Sequence, residues 1–194
     1  AFRIANIIGY IKENNTGSIG NLSRKVDLVL QSDQVISNGF VALAPFQSEF
    51  FGTSLQNQNK LGSIDWLSLL SIHEYRHVLQ FNNARRGFTK FASILSGQGG
   101  WGAAMMYNIP QWYFEGDATL SETLLSNSGR GRTPSFFLEQ RANLLSEKEY
   151  SYMVSRNDSY IKLLPNIYPF GYAICNYVRN TYGDTTWKYI LADA

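Results

Sequence analysis

The chain of 194 residues is 44% hydrophobic and 16% charged, a globular balance at a length that suits one domain with a continuous core. Its net charge of +2 argues against a large electrostatic commitment to nucleic acid or acidic membranes, and no apolar run approaches the ~20 residues of a membrane span. A single cysteine, Cys175, excludes an internal disulfide framework and a cysteine-based zinc site.

Apolar residues at Phe2, Ile4, Ile7, Ile8 and Ile11 predict a short helix from Phe2 to Glu13, followed by a Gly/Ser/Asn loop from Thr16 to Asn21. Val26, Leu28 and Leu30 alternate with polar or smaller neighbours and predict a strand over Lys25 to Gln31. Asn38-Gly39 marks a turn before two further β candidates, Phe40 to Pro45 and Glu49 to Thr53, and Asn57 to Gly62 breaks the pattern. Ser63 or Asp65 can cap a helix running to about Phe81, with Trp66, Leu69, Leu70, His73 and His77 at helical intervals. Phe88 to Leu95 reads as a short helix, whereas the glycines at 97, 99, 100 and 102 make Ser96 to Asn108 a flexible or closely packed stretch. Pro110 opens a helix through about Leu125, which Ser128-Gly129-Arg130-Gly131-Arg132 ends as a solvated turn. Helices over Phe136 to Lys148 and Tyr168 to Tyr182 follow, the last stopped at Gly183, with Cys175 a buried and inert thiol within it. The expected fold is α+β: a small, mostly antiparallel N-terminal sheet and then a largely helical part.

The only two histidines stand in His73-Glu74-Tyr75-Arg76-His77, the H-E-x-x-H pattern. Residues i and i+4 share a helical face about one turn apart, so two imidazoles there can bind one metal ion. Glu74 is rotated about 100° from His73, beside the ion, where it can polarise a bound water. Two histidines leave a catalytic zinc one protein ligand short, and with no third histidine the candidates are acidic. Glu115, within Pro110-Gln111-Trp112-Tyr113-Phe114-Glu115-Gly116-Asp117-Ala118, leads them, because an acid among bulky aromatics is costly to bury unless paired or metal-bound. Gly116 and Ala118 allow another helix to approach closely. Asp117 or Glu122 could substitute as ligand. Asp117 points to another helical face and fits better as the partner of a histidine N–H, while Glu122 lies on the Glu115 face two turns on. Arg76 is expected to be an ordinary charged helix residue or a salt-bridge partner.

His73-Glu74-x-x-His77 followed by Trp112-x-x-Glu115-Gly116-x-Ala118 resembles the gluzincin metallopeptidases, in particular peptidase-MA-like domains related to aminopeptidase N and thermolysin. Val78-Leu79-Gln80, Asn38-Gly39-Phe40 and Tyr168-x-x-Gly171-Tyr172 extend the likeness to bacterial exported members, over roughly residues 23 to 190. The resemblance implies a thermolysin-like catalytic domain with Zn2+ on His73, His77 and Glu115, Glu74 as general base, and a peptide or protein substrate. It also implies a tyrosine or histidine that stabilises the oxyanion, for which Tyr168, nearer the start of its helix than Tyr172, is the choice. The Phe40 to Phe46 segment resembles the edge strand that pairs with substrate backbone in these enzymes. One departure stands out. Aminopeptidase-type members place about 18 residues between the second histidine and the glutamate, and an insertion over about Arg85 to Ile109 would account for the longer gap here.

Ala1 stands where a start methionine would, so residues 1–194 are expected to be a single domain cut from a longer chain, extracytoplasmic by its Asn, Ser, Tyr and Phe usage. Two other functions fit the same residues: a non-catalytic peptide- or protein-binding module that keeps the peptidase fold, and a hydrolase of a non-peptide bond.

Overall fold

The computed structural model describes residues 2–14, 17–55, 64–157, 159 and 161–192. Among them the order is α1 (Phe2–Asn14), β1 (Asp27–Gln31), β2 (Gly39–Leu43), β3 (Phe46–Phe51), α2 (Trp66–Asn83), α3 (Gly87–Asn108), α4 (Gln111–Leu125), α5 (Leu138–Leu145), α6 (Tyr152–Ser155), α7 (Ile167–Tyr182) and α8 (Thr186–Ile190). This is an α+β fold. Ser63 and the whole of the expected break at 57–62 lie outside the described residues.

Helix α2 is the axis of the fold. Asp65 caps it by accepting a hydrogen bond from the Ser68 N–H at 3.2 Å. Leu69 through Asn83 are buried without interruption, so the helix meets protein on every side. α1 packs on it through Ile4 and Ile11, the sheet covers a second side, and α4 covers a third. Gly39 at the start of β2 lets the strand come down on α2, because a Cβ there would meet the Leu70 side chain at 2.7 Å. Leu70 is one turn before His73, so this contact sets the sheet beside the motif.

The sheet has the order β1-β3-β2, with β1 parallel and β2 antiparallel to β3. The expected mostly antiparallel sheet is therefore mixed. The β2–β3 hairpin enters with β3 inward, between β1 and β2, which leaves β2 at an edge. Side-chain alternation identifies strands but carries no information about their direction.

The largest departure from expectation is α3. The glycine-rich stretch after Ser96 is helical, and the element breaks only at Ser96 and Gly97, where Gly97 has φ +62°. Trp101 and Met105 are buried in the second half, with the Trp101 ring 5.3 Å from Phe46, and this burial overrides the low helix propensity of the glycines. The expected helix over Phe136 to Lys148 is split into a 3-10 turn at Pro134–Phe137 and α5.

α4 and α7 cross at their glycines. A Cβ on Gly171 would overlap the Trp112 carbonyl oxygen, and one on Gly116 would overlap the Gly171 backbone. Aromatic packing of Trp112, Tyr113 and Trp187 extends the core from this crossing to α8.

Candidate metal centre

The i,i+4 spacing on α2 brings the His73 and His77 Nε2 atoms within 3.1 Å of each other. Glu115 comes from α4, whose register is fixed by the Gly116–Gly171 crossing. Its Oε2 lies 3.2 Å from His73 Nε2 and 3.7 Å from His77 Nε2. These three residues form a group that could hold a metal ion. Four-coordinate zinc with bonds of about 2.0–2.1 Å places its donors roughly 3.3 Å apart, which matches this set.

Hydrogen bonding on the outer side of each ring leaves the inner nitrogens bare. His73 Nδ1 meets two groups of opposite kind, the accepting Glu122 Oε1 at 2.6 Å and the donating Arg130 Nη2 at 2.9 Å; with a cation on the Nε2 side, Nδ1 carries the hydrogen and Glu122 accepts it. Gln80 Nε2 donates to Phe114 O at 3.0 Å and Asp117 Oδ2 at 2.7 Å, which turns its Oε1 towards His77 Nδ1 at 2.8 Å. With a cation bound, both imidazoles would carry hydrogen on Nδ1 and turn Nε2 lone pairs to the side where the Glu115 carboxylate lies. Three electron-rich atoms at such separations need a proton or a cation between them.

Glu74 is buried beside this group, and its Oε2 has no hydrogen-bond partner among the described residues. Burial raises its carboxyl above the ordinary range, the two histidines pulling the other way. An orphaned carboxylate oxygen facing a cleft next to bare donors fits a metal-bound water that it could polarise. Burial also works against ionisation of Glu115, but in the metal-free centre, where a proton rather than a cation sits among the three groups, hydrogen bonds and charge from His73 and His77 outweigh it and hold that carboxyl far below the usual range. For His73 burial is again the opposing effect, outweighed by Glu115 and Glu122, which carry the imidazole up to about 9.

Tyr168, at the start of α7, is brought in one turn before the Gly171 contact. Its ring centroid lies 6.2 Å from that of His73, and burial with the Glu115 charge pushes its phenol up to about 12. The cleft extends on both sides of Glu74. A cavity of about 210 Å³ is lined by Trp66, Leu69, Leu70, Glu122 and Arg130, and one of about 170 Å³ by Phe40, Val41, Phe81, Phe114 and Glu115. His73, Glu74, Gly39 and Tyr168 belong to both, and edge strand β2 forms a wall.

All five candidate residues, His73, Glu74, His77, Glu115 and Tyr168, therefore meet in one place. Three expectations need correction. Asp117 does not bond a histidine; it forms a bidentate pair with buried Arg76, at 2.7 and 2.9 Å, and reaches His77 only through Gln80. Glu122 is not an alternative third ligand, because it sits behind His73 on Nδ1. Arg130 is no solvated turn residue. Its guanidinium grips Glu122 through Nε at 3.0 Å and Nη2 at 2.5 Å, stacks 4.7 Å over the Tyr168 ring, and helps hold the Glu122 carboxyl down at about 2 against burial. Gln80 was legible as a neighbour three residues after His77 on the same helical face; Arg130 left no local signal. No family model, curated protein or solved structure matches the chain.

Proposed function

We propose that the chain is a zinc-dependent hydrolase of peptide bonds, a thermolysin-like catalytic domain of gluzincin type. The observation that carries this reading is the meeting of three donor atoms, His73 Nε2, His77 Nε2 and Glu115 Oε2, beside the buried oxygen of Glu74 that has no partner among the described residues. His73, His77 and Glu115 would hold the ion, which when bound supplies a Lewis acid and brings the pKa of its water towards 7.

Each residue then has a defined task. Glu74, its basicity raised by burial, takes the proton of the attacking water and returns it to the leaving amine. Tyr168, protonated at every working pH, donates its O–H to the carbonyl oxygen as negative charge develops there. Glu122 and Gln80 keep the Nδ1 hydrogens pointing away from the centre. The open edge of β2 offers backbone groups to an extended substrate, and cavities on both sides of Glu74 suit a bond in the interior of a chain.

Metal analysis joined to a peptide-library digest tests the proposal. The expected result is one zinc per chain, lost in His73→Ala, and cleavage that falls by roughly 10²- to 10⁴-fold in Glu74→Gln while zinc stays bound. A purified wild type that takes up no zinc overturns the metal assignment. Zinc with no turnover of any substrate would instead indicate a binding module, and hydrolysis of esters alone a non-peptide hydrolase.

A further inference from the structure

The segment that separates His77 from Glu115 has a solvent face that the cleft does not use. In the first half of α3, Thr89 and Ser93 point inward: Thr89 Oγ1 donates to Ala84 O at 2.5 Å, and Ser93 Oγ accepts from Arg85. The outward residues are Phe88, Phe91, Ile94 and Leu95, exposed by 57, 57, 72 and 68%. At 100° per residue these four occupy about 120° of the helix, a continuous apolar stripe where a surface helix ordinarily carries charge. The break at Gly97 ends the stripe and returns the second half of the helix to the core.

The segment that carries the stripe has charge of one sign. From Tyr75 to Phe114 the sequence contains no aspartate or glutamate; Arg86 stands at the N-terminal end of the stripe and exposed Lys90 within it, while Arg85 turns inward to Ser93 and the Trp101 ring. Arg24 lies close enough that, after burial, its charge is what lowers the Arg85 guanidinium. None of Arg24, Arg85, Arg86 and Lys90 forms an ion pair among the described residues. The modest net charge of the whole chain conceals this local concentration.

We propose that this face docks the protein onto an anionic lipid bilayer, with Phe88, Phe91, Ile94 and Leu95 entering the boundary between headgroups and acyl chains and Arg86 and Lys90 against lipid phosphates. The helix lies in the interface plane. No described helix is long and apolar enough to cross a membrane. A second copy of the chain is disfavoured as occupant, because a two-fold contact through this stripe would set the Arg86 and Lys90 groups of both copies against each other. The stripe also presents no hydrogen-bonding side chain between Phe91 and Leu95 other than inward Ser93. A protein partner would use such groups to fix register, and a lipid interface requires none. The proposal does not depend on hydrolysis.

Flotation of the whole chain with vesicles of phosphatidylcholine, alone or with about 30 mol % phosphatidylglycerol, tests it. The protein should float with the anionic vesicles and less so as salt rises from about 0.1 M to 1 M. Phe91→Asp with Leu95→Asp should lower binding at least tenfold, and Arg86→Glu with Lys90→Glu should remove the preference for the anionic lipid. Both residues of the first pair are exposed, so the melting temperature should hold; Phe91→Trp gives a second readout, its emission shifting to the blue only with anionic vesicles. Failure of wild type to float with either vesicle overturns the proposal. So does flotation indifferent to the aspartates, or a soluble dimer that the aspartates dissociate.

Discussion

Glu122 and Gln80 hold the two histidines by unlike chemistry. His73 donates to a carboxylate that Arg130 keeps ionised, whereas His77 donates to a neutral amide fixed by Asp117 and the Phe114 carbonyl. A charged acceptor increases the basicity of the opposite ring nitrogen more than a neutral one, so His73 should be the stronger donor. Glu122→Gln is therefore expected to weaken zinc binding by about 10- to 100-fold, read by competition with a chromophoric chelator; a change below twofold would refute the assigned role. Cys175 supplies a second test away from the site. Burial, with Asp117 adding to it, pushes its thiol well above the ordinary value. A raised folded pKa favours the neutral thiol: its contribution is complete below the unfolded pKa of about 8.5 and is lost as pH rises beyond it. The native thiol should thus resist a disulfide reagent at pH 8 to 9 and react at once in denaturant, and the urea midpoint should decline above about pH 9. At this scale the sequence was legible wherever partners share one helix. His73, Glu74 and His77 follow from the period of α2 alone. Arg130 reaches Glu122 only because the chain turns back after α4, and Asp117 went to Arg76 because a buried guanidinium needs a carboxylate more than an imidazole does.

The crossing of α4 on α7 converts two glycines into site geometry. Gly116 follows Glu115, and Gly171 stands one turn after Tyr168, so backbone contact between these glycines sets the distance between ligand and phenol. A Cβ at Gly171 forces the helices apart at a point where the obstacle is backbone, which cannot rotate away. Gly171→Ala should cost roughly 3 kcal/mol and lower zinc affinity as well as stability, since Glu115 would be carried off the histidines. Gly9 in α1 is the control: a Cβ there meets open space, and Gly9→Ala should stabilise by about 0.5–1 kcal/mol. Thermal melts of the two variants decide, and equal effects would remove the special status of the crossing. The close approach at Gly116 could be read from composition, but its partner, Gly171, could not, because nothing local says which helices meet. For the same reason the second half of α3 read only as a flexible or closely packed stretch. Its helical state comes from burying Trp101 and Met105 against β2 and β3 residues that lie far away in sequence.

Across the whole molecule, the centre and the core are the same structure. α2 is buried along 15 consecutive residues that include His73, Glu74, Arg76, His77, Gln80, Asn82 and Asn83. Distant segments supply partners for several of these groups, Leu22 for Asn83, Ser18 and Asp117 for Arg76, Glu115 and Glu122 for His73, whereas the buried Asn82 amide has no hydrogen-bond partner among the described residues. An ion on His73, His77 and Glu115 would tie α2 to α4, and through the glycine crossing to α7, so binding should stabilise the fold as a unit. Free zinc at about 100 times its dissociation constant contributes about 2.7 kcal/mol if the unfolded chain does not bind it. For a domain near this length that corresponds to roughly 5–10 °C in melting temperature. Scanning calorimetry with zinc, and again after chelator, should show this shift and its reversal, and His73→Ala should melt at one temperature in both. A wild type whose melting is indifferent to zinc would mean that the three donors are held together by a proton alone, with Glu74 a buried acid that has no water to activate.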